Sequence, residues 1–200
     1  MSGSGIRPRV VLVGPMGAGK TTVAQLLASQ WGTASRDTDM DVETAQGRSV
    51  SDIFVDDGED AFRSLEAAAV AEALRSHRGV LAVGGGAVLD RETRHLLREH
   101  RVVFLSVGLS DAVKRVGLGS ARPLLLGNVR AQIKTLLEQR LPAYQAVASA
   151  TVVTDGKGPE EVAREVREAV QAAEAAQAAE AAEAGGAAEA GGTCGGVERR

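Results

Sequence analysis

Four short, largely apolar runs recur along the chain: Arg9 to Val13, Val80 to Val83, Val102 to Val107 and Ala150 to Thr154. Their apolar residues do not alternate with polar ones, which is the pattern of parallel strands buried on both faces. A shorter, weakly apolar stretch, Ala34-Ser35-Arg36, fills the second strand position. Between the runs, apolar residues return three and four apart. Val23, Leu26, Leu27 and Trp31 predict a helix stopped by Gly32, and Phe62, Leu65, Ala69 and Ala73 predict another over Glu59 to Ser76. Shorter helices are expected over Asp41 to Gln46, around Ser51 to Phe54, over Asp90 to Glu99 and over Asp111 to Val116. Ile133, Leu136 and Leu137 mark a helix from Val129 to Leu141 that should end at Pro142, and Val162, Val166 and Val170 mark a last one starting at Glu160. Strands alternating with helices in this way predict an α/β fold with a parallel sheet.

The periodicity stops near Val170. Residues 1–7 read as a flexible lead, 8–171 as one domain, and 172–200 as an Ala/Glu tail that turns Gly-rich. Helix propensity could carry the last helix to about Ala184, but no bulky apolar side chain remains to bury, so a frayed helix and disordered tail are expected. Truncation after about Val170 should then leave activity intact. Aromatic residues make up 2% of the chain, so the core must be built from Val, Leu, Ile and Ala. A net charge of −3 gives no reason to expect nucleic acid or an acidic membrane surface as a partner. Cys194 is the single cysteine, which excludes an intramolecular disulfide and suits a reducing cytoplasm. No run has the length of a membrane span, nor the N-terminus the apolar core of a signal peptide.

Candidate chemistry gathers where strands end. Gly14-Pro15-Met16-Gly17-Ala18-Gly19-Lys20-Thr21 follows the first strand and opens a helix, matching the phosphate loop G-x-x-x-x-G-K-[ST]. Glycines let backbone N–H groups converge on phosphate oxygens, and the helix N-terminus adds partial positive charge. Lys20 would reach the outer phosphates, and Thr21 would place its hydroxyl on Mg²⁺. Asp37 and Asp39, two apart, would share one side of an extended segment and face one pocket, one beside the Mg²⁺ water shell and one on a substrate hydroxyl. The competing reading makes them caps of the following helix. Arg63 and Glu66, three apart on a helix, read by themselves as a solvated surface ion pair. Gly84-Gly85-Gly86 after a buried strand implies a close approach of the backbone. Gly117 to Leu125 has the look of a flap carrying Arg122, and Arg140 lies in a last helical turn, where the helix dipole alone would favour a cation.

In this order the motifs resemble the shikimate kinase family over about Val10 to Val170: the phosphate loop, Asp37-Thr38-Asp39, Arg63 with Glu66, Gly84-Gly85-Gly86, Arg122-Pro123-Leu124-Leu125 and Arg140-Leu141-Pro142-Ala143-Tyr144. The resemblance implies a three-layer phosphate-loop kinase fold of the nucleoside-monophosphate-kinase type, with a five-stranded parallel sheet in order 2-3-1-4-5 and helices on both faces. It implies transfer of the γ-phosphate of ATP to the 3-hydroxyl of shikimate, by a cytoplasmic monomer. Carried over by motif, Asp39 would bind the shikimate hydroxyls and serve as base. Arg63 and Arg140 would clamp the carboxylate, as guanidinium forks suit, and Gly84, Gly85 and Gly86 would offer backbone N–H groups. Gly17, Ala18, Gly19, Lys20, Thr21 and Thr22 would hold the nucleotide, with Asp37 supporting Mg²⁺ through water beside Thr21. Arg122 on a lid of about 117–127 would reach the phosphates, Arg115 would lie against adenine, and Lys157 would sit near the nucleotide. Other readings stay open: a gluconate kinase of the same fold, a slowly hydrolysing nucleotide switch, or an inactive homologue.

Overall fold

The computed structural model of the chain describes residues 7–117 and 128–190. Arg122, the lid from residue 118 onward and Cys194 lie outside the described residues. Five strands, β1 (Val10–Val13), β2 (Ser35–Asp37), β3 (Val80–Ala82), β4 (Val102–Ser106) and β5 (Ala150–Val153), form one sheet in the order β2-β3-β1-β4-β5. Every pairing is parallel, with Leu12 of β1 opposite Ala82 on one side and Val103 on the other. The expected strand order is therefore the one adopted.

The unalternated strands explain the layers. Val10 and Leu12 pack with Leu27 of α1 (Lys20–Trp31) and Val166 of α8 (Pro159–Ala190). Val11 and Val13 turn the other way, onto Val70 and Leu74 of α4 (Glu59–Ser76) and Leu97 of α5 (Arg91–Leu97). Burying each such side chain fully contributes about 1.5–3 kcal/mol. A smaller cluster of Val42, Ile53 and Phe62 joins α2 (Thr38–Gln46), α3 (Val50–Asp56) and α4 beyond the carboxyl edge of β2. The remaining helices are α6 (Leu109–Gly117) and α7 (Val129–Val147). Among the described residues no helix is long and apolar enough to cross a membrane.

Two differences from the expected boundaries bear on the site. Helix α2 begins at Thr38, not near Asp41, because Asp37 caps it: its Oδ1 accepts the Asp39 N–H at 3.0 Å. Asp39 thus lies on a first helical turn and not on an extended segment. Helix α7 does not end at Pro142 but runs through it to Val147. Proline there lacks the N–H that would bond the carbonyl four residues back, a cost of about 3 kcal/mol. That carbonyl belongs to exposed Glu138, where water can serve it, and burial of Tyr144 and Val147 in the next turns offsets the loss.

The last helix continues past Val170 to Ala190, and its extension carries polar rather than apolar contacts. Glu174 pairs with Arg9 at 3.4 Å and with Arg101 at 3.3 Å, and Gln177 accepts from Arg101 at 2.8 Å. Arg9 also lies 4.2 Å from the Trp31 ring centroid. These contacts brace the amino ends of β1 and β4, far from the carboxyl edge. A chain ending at Val170 should keep its activity but lose roughly 1 kcal/mol, since partly exposed pairs contribute little. Calorimetry should show it melting about 2–4 °C below the full chain, while a chain ending at Ala178 should melt with the full chain.

Candidate active site

The carboxyl ends of β1, β2 and β3 deliver the phosphate loop, the Asp37–Asp39 segment and the three glycines to one edge of the sheet, where parallel α/β folds bind ligands. Gly19 caps α1 with φ 90°, a left-handed conformation open to glycine, and no side chain caps the helix. Its first N–H groups remain to be satisfied, which makes an anion site. Lys20 Nζ lies over the loop, donating to Gly14 O at 2.7 Å and Pro15 O at 3.2 Å. Arg115 on α6 ties the loop to the end of β5: it donates to Gly17 O at 3.1 Å and Thr154 O at 2.7 Å. The Lys157 ammonium is paired with Glu165 at 2.7 Å.

Asp37 is both cap and neighbour of the loop. Its Oδ2 accepts the Thr21 hydroxyl at 2.6 Å. The capping and functional readings of this residue are therefore compatible, one oxygen serving each. The hydroxyl and carboxylate together suit Mg²⁺, which takes few protein oxygens and keeps phosphate and water for the rest. No group of three or more His, Cys, Asp or Glu that could hold a metal occurs among the described residues.

Arg63 and Glu66 are no surface pair. Glu66 is 1% exposed and accepts from Arg63 at 2.5 Å, while Glu59 accepts from the same guanidinium at 3.0 Å. Arg63 lies 5.3 Å from the Phe62 ring centroid and 5.6 Å from that of Phe54. Burial raises the Glu66 carboxyl above its ordinary value, and the charge and hydrogen bond of Arg63 only partly counter it; Asp39 adds to the rise. For Arg63 burial works against the charge, but Glu66 and Glu59 outweigh it and hold the guanidinium protonated.

The three glycines do what close approach demands. A Cβ on Gly86 would fall on the Arg63 guanidinium, and one on Gly84 would meet carboxylate oxygens of Glu66 and Asp39. Gly84 is buried, and its N–H donates to Thr38 Oγ1 at 3.0 Å. Gly85 O accepts from Tyr144 at 2.5 Å and from Arg140 at 3.3 Å. Arg140 is 5% exposed, so the helix-dipole reading of an exposed cation does not describe it. Its Nε and Glu66 Oε1 are buried without hydrogen-bond partners among the described residues. Such orphans are costly unless a ligand or water meets them.

One cavity of about 960 Å³ reaches from Gly17, Lys20, Thr21 and Lys157 to Asp39, Arg63, Gly85, Gly86 and Arg140. Ala18, Gly19, Thr22, Asp37 and Arg115 also line it. Sequence reasoning did not single out Met40, Glu43, Ser49 or Phe54, which line the acceptor end; only Phe54, aromatic in a chain with 2% aromatics, carried any mark.

An anion-gripping loop at one end of a cavity and buried guanidiniums beside a carboxylate at the other is the layout of a kinase acting on small acidic molecules. Similarity to known proteins narrows that class. The family model described as shikimate kinase matches residues 16–171. A shikimate kinase of Streptomyces avermitilis is 58% identical over 164 residues, covering 82% of this chain and 96% of that one. The solved shikimate kinase from Acinetobacter baumannii, in complex with shikimate, superposes with a TM-score of 0.79 at 32% identity, over 84% of this chain and 94% of that one. A gluconokinase from Sinorhizobium meliloti, 20% identical with a TM-score of 0.51 over 84% of this chain and 93% of that one, shares the fold alone. The chain belongs to the shikimate kinase family, and its activity is that of a shikimate kinase.

Proposed function

We propose that shikimate occupies the Arg63–Arg140 end of the cavity and ATP the phosphate loop, so that the γ-phosphate passes to the 3-hydroxyl. The continuity of that one cavity is the observation that carries the reading. Arg63 and Arg140 bind the substrate carboxylate, a role supported by the orphaned Arg140 Nε, and Gly85 and Gly86 line the floor beneath the ring. Asp39 accepts the hydrogen bond of the attacking hydroxyl. As the new oxygen–phosphorus bond forms, the hydroxyl proton passes to Asp39, and the bond from phosphorus to the bridging oxygen of ADP breaks.

Gly17 to Thr22 hold the phosphates through backbone N–H groups, and Lys20 swings from the loop carbonyls onto the outer phosphates. Thr21 and Asp37 would hold Mg²⁺, which when bound would neutralise phosphate charge. Arg115 packs against adenine, Arg122 brings positive charge from the lid, and Lys157 borders the nucleotide. A monomer working in the cytoplasm completes this reading. A coupled ADP-release assay tests the substrate. ADP should appear with shikimate and not with gluconate or without acceptor. Equal release in all three would support a hydrolysing nucleotide switch instead.

A further inference from the structure

Tyr144, the chain's single tyrosine, sits 1% exposed at the back of the acceptor end, with its ring stacked on Phe104 at 5.0 Å between centroids. Core packing needs only the ring, as phenylalanine would supply. The hydroxyl instead donates to Gly85 O at 2.5 Å, and Arg140 donates to the same oxygen at 3.3 Å. A carbonyl oxygen has two acceptor positions, so these two donors fill it.

We propose that Tyr144 is a positioning residue: by holding the Gly85 carbonyl, its hydroxyl sets both the Arg140 guanidinium and the Gly85–Gly86 peptide against the anionic acceptor. The inference rests on the reading of the acceptor site above. A trans peptide is planar, so fixing the Gly85 C=O toward Tyr144 aims the Gly86 N–H the opposite way. Gly85 also adjoins the phosphate loop, since a Cβ there would stand 3.4 Å from Gly14 O and 3.7 Å from Met16 N. Burial pushes the phenol up to about 12, against the charge and hydrogen bond of Arg140, so the hydroxyl keeps its proton throughout the working range. It serves as a fixed donor and not as an acid or base.

Steady-state kinetics of Tyr144→Phe test this, since the ring and its stacking remain. The shikimate KM should rise about tenfold, the effect of one lost hydrogen bond to an ordered group, with kcat and the ATP KM within about twofold of the parent. Replacement by 4-aminophenylalanine, which restores a donor at the same place, should return the shikimate KM toward the parent value. Phe104→Leu is the packing control: it should lower the melting temperature and leave the shikimate KM unchanged. An unchanged shikimate KM in Tyr144→Phe overturns the proposal, as does an equal rise in Phe104→Leu. Failure of the parent chain to use shikimate would instead overturn the reading of the site.

Discussion

Asp39→Asn is expected to lower kcat about 10³-fold while nucleotide binding and thermal stability survive. Loss of a group that takes a proton in the transition state costs about 10²–10⁴-fold, and 10³-fold corresponds to about 4 kcal/mol of barrier. The substitution keeps size and leaves the Asp39 N–H bonded to Asp37 Oδ1 at 3.0 Å, so the start of α2 is untouched. It also removes a negative charge that raises the Glu66 carboxyl, which leaves the Arg63–Glu66 pair undisturbed or improved. Single-turnover rates with ATP and shikimate, beside calorimetric nucleotide titration, check both halves. A loss of less than tenfold would show that Asp39 is not the proton acceptor.

Arg63→Ala should damage binding and folding together. Removing one partner of a buried, desolvated charge pair costs about 2–5 kcal/mol, so the shikimate KM should rise on the order of 100-fold. The same change strands Glu66, 1% exposed, without the guanidinium that donates to it. Arg63 itself is 21% exposed on its side chain, so the stability loss falls toward the low end, about 3 kcal/mol. For a domain of this size that is a melting temperature lower by roughly 6–12 °C. The pH dependence has a definite sign. Glu66 already folds with its carboxyl above the ordinary 4.5, so its contribution to stability is complete below that value and is lost as pH rises through the folded one. Without Arg63 the folded value climbs further. Urea denaturation should therefore show the deficit of Arg63→Ala narrowing toward pH 4.5 and widening above it. A deficit independent of pH would mean that Glu66 does not answer to Arg63.

Most of the sheet was legible because β1, β3 and β4 are apolar on both faces, a pattern that few other environments tolerate. The phosphate loop was legible because left-handed turns and a lysine at fixed spacing leave a mark in the sequence. Arg63 and Arg140 were not legible from spacing alone. An arginine three residues before a glutamate on a helix looks the same whether α4 shows that face to water or to a cavity, and only the resemblance separated the two. The partner of the Gly84 N–H was not legible for a related reason. Three consecutive glycines announce a close approach, but Thr38, two residues before Met40 and distant in sequence, decides which N–H is already used. Pro142 was misread because the cost of a helical proline is local, whereas the burial of Tyr144 and Val147 that offsets it is tertiary. The polar grip of Glu174 and Gln177 on Arg101 left no periodic signal, since a search for apolar faces passes over hydrogen bonds.

A crystal structure with shikimate and a non-hydrolysable ATP analogue tests the central claim most directly. It should show the shikimate carboxylate bonded to both Arg63 and Arg140, a ring hydroxyl within hydrogen-bond reach of Asp39, and the terminal phosphate of the analogue on the loop beside Lys20. Shikimate bound elsewhere, or in the cavity with its carboxylate turned away from both arginines, would contradict the account.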